Sequence, residues 1–407
     1  MATNRVSTAA YENFTIERII LSKGEKGFDL SNAFIRMDID ESIENGFMKG
    51  SFDFIDTMNL TDALVMGGTE FVQLSFFSRD YKEVNGPEFE KLFRVSRYED
   101  ITDADTMKRK FTRVHFVSVG EIENDYHKVS KSYKQVGSHL IVGEMLEILG
   151  YPESYINLES TLNNKDIVIP NLSPLQVINH MTQTSQSGKA NNKSDSNYYF
   201  YESRDKVNFV SGSTLTQADP VVDLIYGPTD EITMYGKIIK YERVRGFNLS
   251  DQLRNGGLGV TVNSHSLVNK LYKTEYVDFA TAKKDYPMMN PVKWFDDIES
   301  NRNMSVKFRP EDQLYKFLNK GAHGNSAAIR HINRTSLQAK RAFAQVPGDT
   351  NITAGVTVNL AMHDQKGEIN IKDSGKWLVN RVTHLITQEN YFMNLELVSD
   401  SNIVRSV

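Results

Sequence analysis

Hydrophobic and polar positions alternate with a period of two along much of this chain. Between Gly355 and Ser399 three such runs follow one another. Val356, Val358 and Leu360 alternate with Thr357, Asn359 and Ala361. Trp377, Val379, Arg381, Thr383 and Leu385 form one face of a second run, and Met393, Leu395 and Leu397 one face of a third. Such alternation belongs to strands with unlike faces, so the spacing predicts a meander of three strands. The front of the chain holds another. Val72, Leu74, Phe76, Phe93, Val95, Arg97 and Ile101 match Val356, Val358, Leu360, Trp377, Val379, Arg381 and Leu385 without a gap. After one three-residue difference in a turn, Phe111, Val114, Phe116, Val117 and Ser118 match Phe392, Leu395, Leu397, Val398 and Ser399. The match is one of character, since Thr112 stands opposite Met393. Any two β meanders share part of this pattern; an internal duplication predicts two copies of one β domain in the chain.

The remaining pattern divides the chain. Residues 1–13 are polar and read as an arm. Residues 14–120 read as the first antiparallel β domain, with a strand at Phe14–Leu21, alternation at Ile35, Met37 and Ile39, a hairpin signal at Asn45-Gly46 and a return at Phe52 and Phe54. A meander of this length is predicted to close into a barrel, which leaves no exposed edge. Residues 121–227 change period and read as a small α+β domain. Ile141, Val142, Met145, Leu146 and Leu149 fit one helical face ended by Gly150. Ile167 to Ile169 read as a short strand stopped by Pro170, and Ser173-Pro174-Leu175-Gln176 is a capping box opening a second helix. Thr184 to Asn197 reads as a mobile polar loop, and Tyr198–Tyr201 with Val207–Val210 as a hairpin. The second β domain is assigned to 228–261 and 346–400, interrupted by an insertion at 262–345. That insertion is expected to end in a helix near Ser326 to Gln345, with Ala328, Ile332, Thr335, Ala339, Ala342 and Phe343 along its inner stripe. Residues 401–407 form a tail.

Composition narrows the function classes. The 407 residues are 40% hydrophobic and 24% charged, with net charge −5, an ordinary balance for a globular chain of several domains. The negative balance argues against a protein that grips nucleic acid mainly through phosphates. Cysteine is absent, which excludes disulfides, thiolate nucleophiles and zinc–thiolate sites. No signal-peptide pattern is visible at the front, and no apolar run reaches the ~20 residues needed to span a bilayer.

Candidate chemistry is sparse. The nine His stand in no metal spacing, and no nucleophile elbow or phosphate-cradling loop is present. Asp38-Ile39-Asp40-Glu41 begins like a calcium loop but has Ile43 where the loop needs Gly. Asp103 and Asp105 read as turn residues. Asp296, Asp297 and Glu299 could hold a cation or flank a sugar, or form a solvated acidic loop. His384 lies on the strand face opposite Arg381 and reads as a satisfied strand residue. Arg97 and Arg381 recur at one repeat position. They are either exposed strand arginines whose stems cap the core or contacts to a neighbouring β domain in a ring. No cofactor or metal site is assigned.

Two related β domains per chain have a geometric consequence. Three chains would set six similar domains around one axis, with exact threefold and approximate sixfold symmetry. Such a ring can join a sixfold partner to a threefold one.

Taken in order, the motifs resemble the central baseplate hub protein of contractile-tailed bacteriophages, related to the hub part of type VI secretion spike proteins. They are Met37-Asp38-Ile39-Asp40-Glu41-Ser42; Gly50-Ser51-Phe52-Asp53-Phe54-Ile55-Asp56 with Asn59; the Met145-Leu146 helix; Ile167-Val168-Ile169-Pro170; the Ala-rich segment Ala327 to Ala344; Thr353-Ala354-Gly355-Val356; and Trp377-Leu378-Val379, Val382-Thr383-His384 and Leu395-Glu396-Leu397. The resemblance covers about residues 14–400. It implies a mainly β chain with α+β insertions and two tube-type β-barrel domains, forming a pseudohexameric ring in a homotrimer. It implies a structural, non-enzymatic symmetry adaptor in the virion baseplate, between the hexameric tail tube and a separate trimeric central spike. Baseplate wedge proteins are further expected partners. DNA is expected to pass through the lumen without specific binding, and no stable membrane insertion is expected. The alternatives are a tail-associated cell-wall hydrolase, for which Asp296, Asp297 and Glu299 are the only carboxylate cluster, and a host-receptor binding module.

Overall fold

A computed structural model describes residues 9–57, 59–80, 84–102, 110–162, 164–189, 195–227, 237–266, 270–284, 286–293, 305–308, 324–364 and 366–403. The first β unit contains β1 (Ala9–Lys23), β2 (Lys26–Asp29), β3 (Phe34–Ser42), β4 (Lys49–Asp56), the short helix α1 (Leu60–Ala63), β5 (Phe71–Asp80), β6 (Phe89–Thr102) and β7 (Lys110–Ser118). The α+β segment contains α2 (Val119–Tyr126), β8 (Val129–Val136), α3 (Ser138–Ile148), β9 (Ile156–Leu158), β10 (Lys165–Leu172), α4 (Pro174–Thr184), β11 (Tyr198–Glu202), β12 (Val207–Ser211) and α5 (Gly212–Gln217). Strands β13 (Asp223–Tyr226) and β14 (Lys240–Arg245) open the second β unit. An insertion follows, with α6 (Leu249–Arg254), β15 (Gly259–Ser266), β16 (Leu271–Asp278), α7 (Phe279–Ala282), β17 (Ser305–Phe308) and α8 (Gly324–Leu337). Strands β18 (Lys340–Pro347), β19 (Thr357–Met362), β20 (Gly375–Thr387) and β21 (Tyr391–Ser399) complete that unit.

The chain is mainly β. Its hydrogen bonds build one 13-stranded sheet. Its order is β14-β18-β21-β20-β3-β4-β7-β6-β5-β1-β2, with β19 on β20 and β13 on β19. Five strands of each unit keep one spatial order, β3-β4-β7-β6-β5 in the first and β14-β18-β21-β20-β19 in the second. The repeat extends to a defect. Val95 pairs with Phe116 and Arg97 with His115, leaving Ser96 as a bulge. Val379 pairs with Leu397 and Arg381 with Glu396, leaving Asn380 as the bulge at the equivalent place. An extra residue in one strand reverses which side chains face the core beyond it. Trp377 and Val379 therefore face the core, but past Asn380 it is Val382, His384 and Ile386 that do so. The single face drawn from Trp377 to Leu385 is corrected accordingly.

Three further expectations change. The gapless match slips by two residues at its first strand: Val72 pairs with Phe93, whereas Val358, and not Val356, pairs with Trp377. A slip of two leaves the faces unchanged, which hid it from the pattern. The helix expected to run to Gln345 ends at Leu337. Lys340 to Pro347 is a strand, with Ala342 and Ala344 turned to the core and Phe343 outward. Alanine's high helix propensity disguised that alternation. Around the expected mobile loop, Ser185, Ser187, Asp195, Ser196 and Asn197 are buried; residues 190–194 lie outside the described residues.

The α+β segment follows its sequence signals closely. Ser173 and Gln176 close the capping box, the Ser173 N–H donating to Gln176 Oε1 at 3.0 Å. Gly150 ends α3 at φ +83°, a conformation costly for any residue with a Cβ. Pro170 does not stop the strand as its sequence signal implied: it lies inside β10, at an irregularity between the Ile169 and Leu172 pairs, where its missing N–H is not needed. A buried ion pair, Lys91 Nζ to Glu202 Oε1 at 2.9 Å, fastens this segment to the first β unit. The main hydrophobic core draws on both β units. Phe52, Phe76, Phe93 and Phe116 come from the first, Trp377, Tyr391, Met393 and Leu395 from the second.

Candidate functional site

The two β units meet where β20 lies antiparallel to β3, with Arg381 opposite Ser42, Thr383 opposite Asp40, His384 opposite Ile39 and Thr387 opposite Arg36. On the outer face of this junction the Arg381 guanidinium donates to both oxygens of Asp40, Nε to Oδ1 at 2.6 Å. Thr383 Oγ1 donates to the same carboxylate at 3.1 Å. These hydrogen bonds raise the Arg381 pKa above its ordinary value. On the core face His384 is buried, 2.8 Å from the Tyr391 hydroxyl through Nδ1 and 3.2 Å from Glu41 Oε1 through Nε2. The Ala354 N–H donates to the other Glu41 oxygen at 3.2 Å. One strand pairing thus carries an ion pair on one face and a buried polar triad on the other.

Arg97 occupies the same repeat position in a different setting. Its guanidinium is exposed and meets Glu99 of its own strand at 3.3 Å. Segment Arg97–Thr102 pairs with β7 on one side, while β5 reaches β6 only over Phe89–Arg94. Where β3 covers β20, the matching stretch of β6 has no strand partner among the described residues. At the far end of the sheet β14 pairs only with β18. The open stretch of β6 presents Tyr98, and the open edge of β14 presents Val244 with Ile239 just before it, as exposed hydrophobics. Open edges of this kind are templates for pairing with another strand.

His384 and Glu41 form a pair that solvent does not reach. Asp38 and Asp40 are strand residues that accept from Ser51 and Arg381. Among the described residues no group of three or more His, Asp or Glu could hold a metal, and no helix is long and apolar enough to cross a membrane. Asp103, Asp105, Asp296, Asp297 and Glu299 lie outside the described residues. A polar network surrounds Glu159, whose ionisation burial opposes. Ser187, Thr214 and Ser211 nevertheless hold its pKa below the ordinary value. Burial pushes Asp195 up to about 6 while it accepts from the backbone and hydroxyl of Ser213. Both carboxylates are taken by local donors and fasten the start of α5.

Sequence reading found Arg381 but not its partner. Asp40 is 341 positions away, and its run was compared only with a calcium loop, which it fails at Ile43. The signal was there: acidic residues at Asp38 and Asp40, two apart in a strand, call for cations on the neighbouring strand.

No family model matches the chain. A probable baseplate hub protein of Vibrio phage KVP40 is 25% identical over 417 aligned residues, spanning 96% of each chain. Among solved structures, a tail protein from Neisseria meningitidis MC58 superposes with a TM-score of 0.56 at 10% identity, covering 95% of this chain and 97% of that one. The 43 kDa tail protein of prophage MuSo2 from Shewanella oneidensis gives 0.55 at 11%, covering 94% and 98%. The likeness to these structures is one of fold.

Proposed function

We propose that this chain, a baseplate hub relative and structural protein of the virion tail, forms a homotrimeric collar joining a sixfold tail tube to a threefold central spike. The observation that carries this reading is the β20–β3 junction. It joins β20 of the second unit to β3 of the first, and the counterparts of these two strands, the Arg97–Thr102 stretch of β6 and strand β14, each lack a strand partner on one side among the described residues. A second copy can add its β14 to β6 just as β3 adds to β20. The contact is head-to-tail, and such contacts close into a ring when the rotation allows. Three copies then alternate three internal junctions with three between copies. Each unit contributes the same five-strand order, so the collar presents six near-equivalent faces.

Arg381 would act at the internal junction, and Arg97 would stand at the equivalent place between copies. The outer sheet face mixes signs. Arg113 is paired with Asp53 and Arg381 with Asp40. A face whose cations are already matched suits passage of DNA without specific binding. Tail tube protein and spike are the partners expected at the two ends of the collar, with wedge proteins outside it. Native mass measurement tests the stoichiometry: trimers are expected, alone or with a tube or spike partner, and a monomer under all of those conditions overturns the reading.

A further inference from the structure

Beside the open strand β14 lies a pocket of about 240 Å³ lined by Arg243, Gly246, Phe247, Lys340, Lys372 and Asn402. Its floor is unusual. Lys340 points to the core side of β18 and is 2% exposed. Its ammonium sits 4.2 Å from the Trp377 ring centroid and 5.8 Å from that of Phe247. Its hydrogen-bond partner is Asn402 Oδ1 at 3.4 Å. The nearby carboxylates are engaged elsewhere. Asp373 takes Arg243 and the Tyr241 hydroxyl, and Asp400 takes Lys283 at 2.8 Å. Among the described residues no carboxylate forms an ion pair with Lys340. Burial pushes its pKa down to about 8, against the pull of Asp373 and Asp400 and with the push of Arg243. A buried cation facing an opening with two further cations, Arg243 and Lys372, is an acceptor for a carboxylate.

The repeat identifies where that carboxylate comes from. Through their β7 and β21 partners, Asp100 is the equivalent of His384 and Tyr98 of Val382. Through β4 and β18, Arg243 is the equivalent of Ile39, and beyond the bulge at Val244 Gly246 takes the place of Glu41. At the closed junction His384 lies opposite Ile39 and Val382 opposite Glu41. The same register between copies sets Asp100 opposite Arg243 and Tyr98 opposite Gly246, at the mouth of the pocket. Both side chains belong to the core face of β6, since they pair with the buried Val114 and Thr112. There they remain exposed, Asp100 already accepting from Thr112 Oγ1 at 2.8 Å, whereas their equivalents Val382 and His384 are covered by β3. The polarity is reversed with respect to the closed junction: the acid now comes from the β6 side and the cations from the β14 side.

We infer that the Lys340 pocket receives Tyr98 and Asp100 from strand β6 of a second copy of this chain, Asp100 supplying the carboxylate that Lys340 lacks. The inference rests on the trimeric reading and adds its register and its ionic contact. Because the native chain has no cysteine, the paired variant Asp100→Cys with Arg243→Cys reports the contact directly. Directly opposed residues of antiparallel strands have Cα atoms about 4.5–5.5 Å apart, within disulfide reach. Oxidation is expected to give covalent dimers and trimers on a denaturing gel, and each single variant only monomers. Asp100→Cys with Tyr241→Cys, two residues out of register, is expected to give none. In the otherwise native chain, Lys340→Met is expected to raise the concentration at which the oligomer dissociates by about thirtyfold or more, as loss of one partner of a desolvated charge pair does. Trimers that neither cross-link at 100–243 nor respond to Lys340→Met overturn this inference and leave the trimeric reading standing. Absence of trimers with and without tube and spike partners overturns both.

Discussion

The closed junction at Arg381 and the open edge at Arg97 are the same piece of structure in two states of completion. Both follow a one-residue bulge, both pair with the last strand of their unit in the same register, and both carry an arginine outward. They differ in what lies alongside. At Arg381 a neighbouring strand brings Asp40 and Glu41, and the core-side residues are covered. At Arg97 no described strand arrives, and Tyr98 and Asp100 stay exposed. On the proposed assembly, folding completes one junction and a second copy of the chain completes its counterpart.

That contrast can be broken in order of severity. Glu41→Ala removes the acceptor of both buried His384 and the Ala354 N–H, leaving two buried donors unsatisfied at about 1–3 kcal/mol each. The midpoint of denaturant unfolding measures it. Lys340→Met acts in the opposite direction on the isolated chain. Its folded pKa, down from 10.5 to about 8, corresponds to a penalty on the order of 3 kcal/mol at about 1.36 kcal/mol per pKa unit. A depressed lysine pKa means that the unfolded chain binds more protons between those values. The penalty is full below pH 8, and stability recovers as pH rises toward 10.5. Unfolding the isolated native chain and the variant across that range should show a gap that closes at high pH. A gap independent of pH would mean that Lys340 is not the strained group. The smallest effects come from the matched arginines. Arg381→Ala should cost about 1 kcal/mol, since its ion pair is partly exposed. Arg97→Ala should stay within about 0.5 kcal/mol, as for an exposed surface residue. Equal costs at the two positions would mean that the junctions do not differ as described.

Much of this was legible in the pattern, and the failures share a cause. Alternation located the strands and the duplication, because burying one face imposes a period of two whatever the residues. Local chemistry located the capping box and Gly150, because caps involve neighbours in sequence. What stayed hidden required knowing which strand lies alongside which. A bulge at Asn380 cannot be told from an ordinary strand residue until Val379 and Arg381 are paired with Leu397 and Glu396. Lys340 to Gln345 read as helix because Ala342 fits either period. The partnership of Arg381 with Asp40 and of His384 with Glu41 spans almost the whole chain, and no short window contains both members. The two-residue slip between β5 and β19 escaped because it preserves every face.

The most direct test is an image of the assembled protein down its axis, together with its native mass. The account expects a mass of three chains and a closed ring with exact threefold and near-sixfold density, the six lobes alternating between junctions within and between copies. A ring of two or six chains, or a trimer whose projection shows three unlike pairs of lobes, would contradict it.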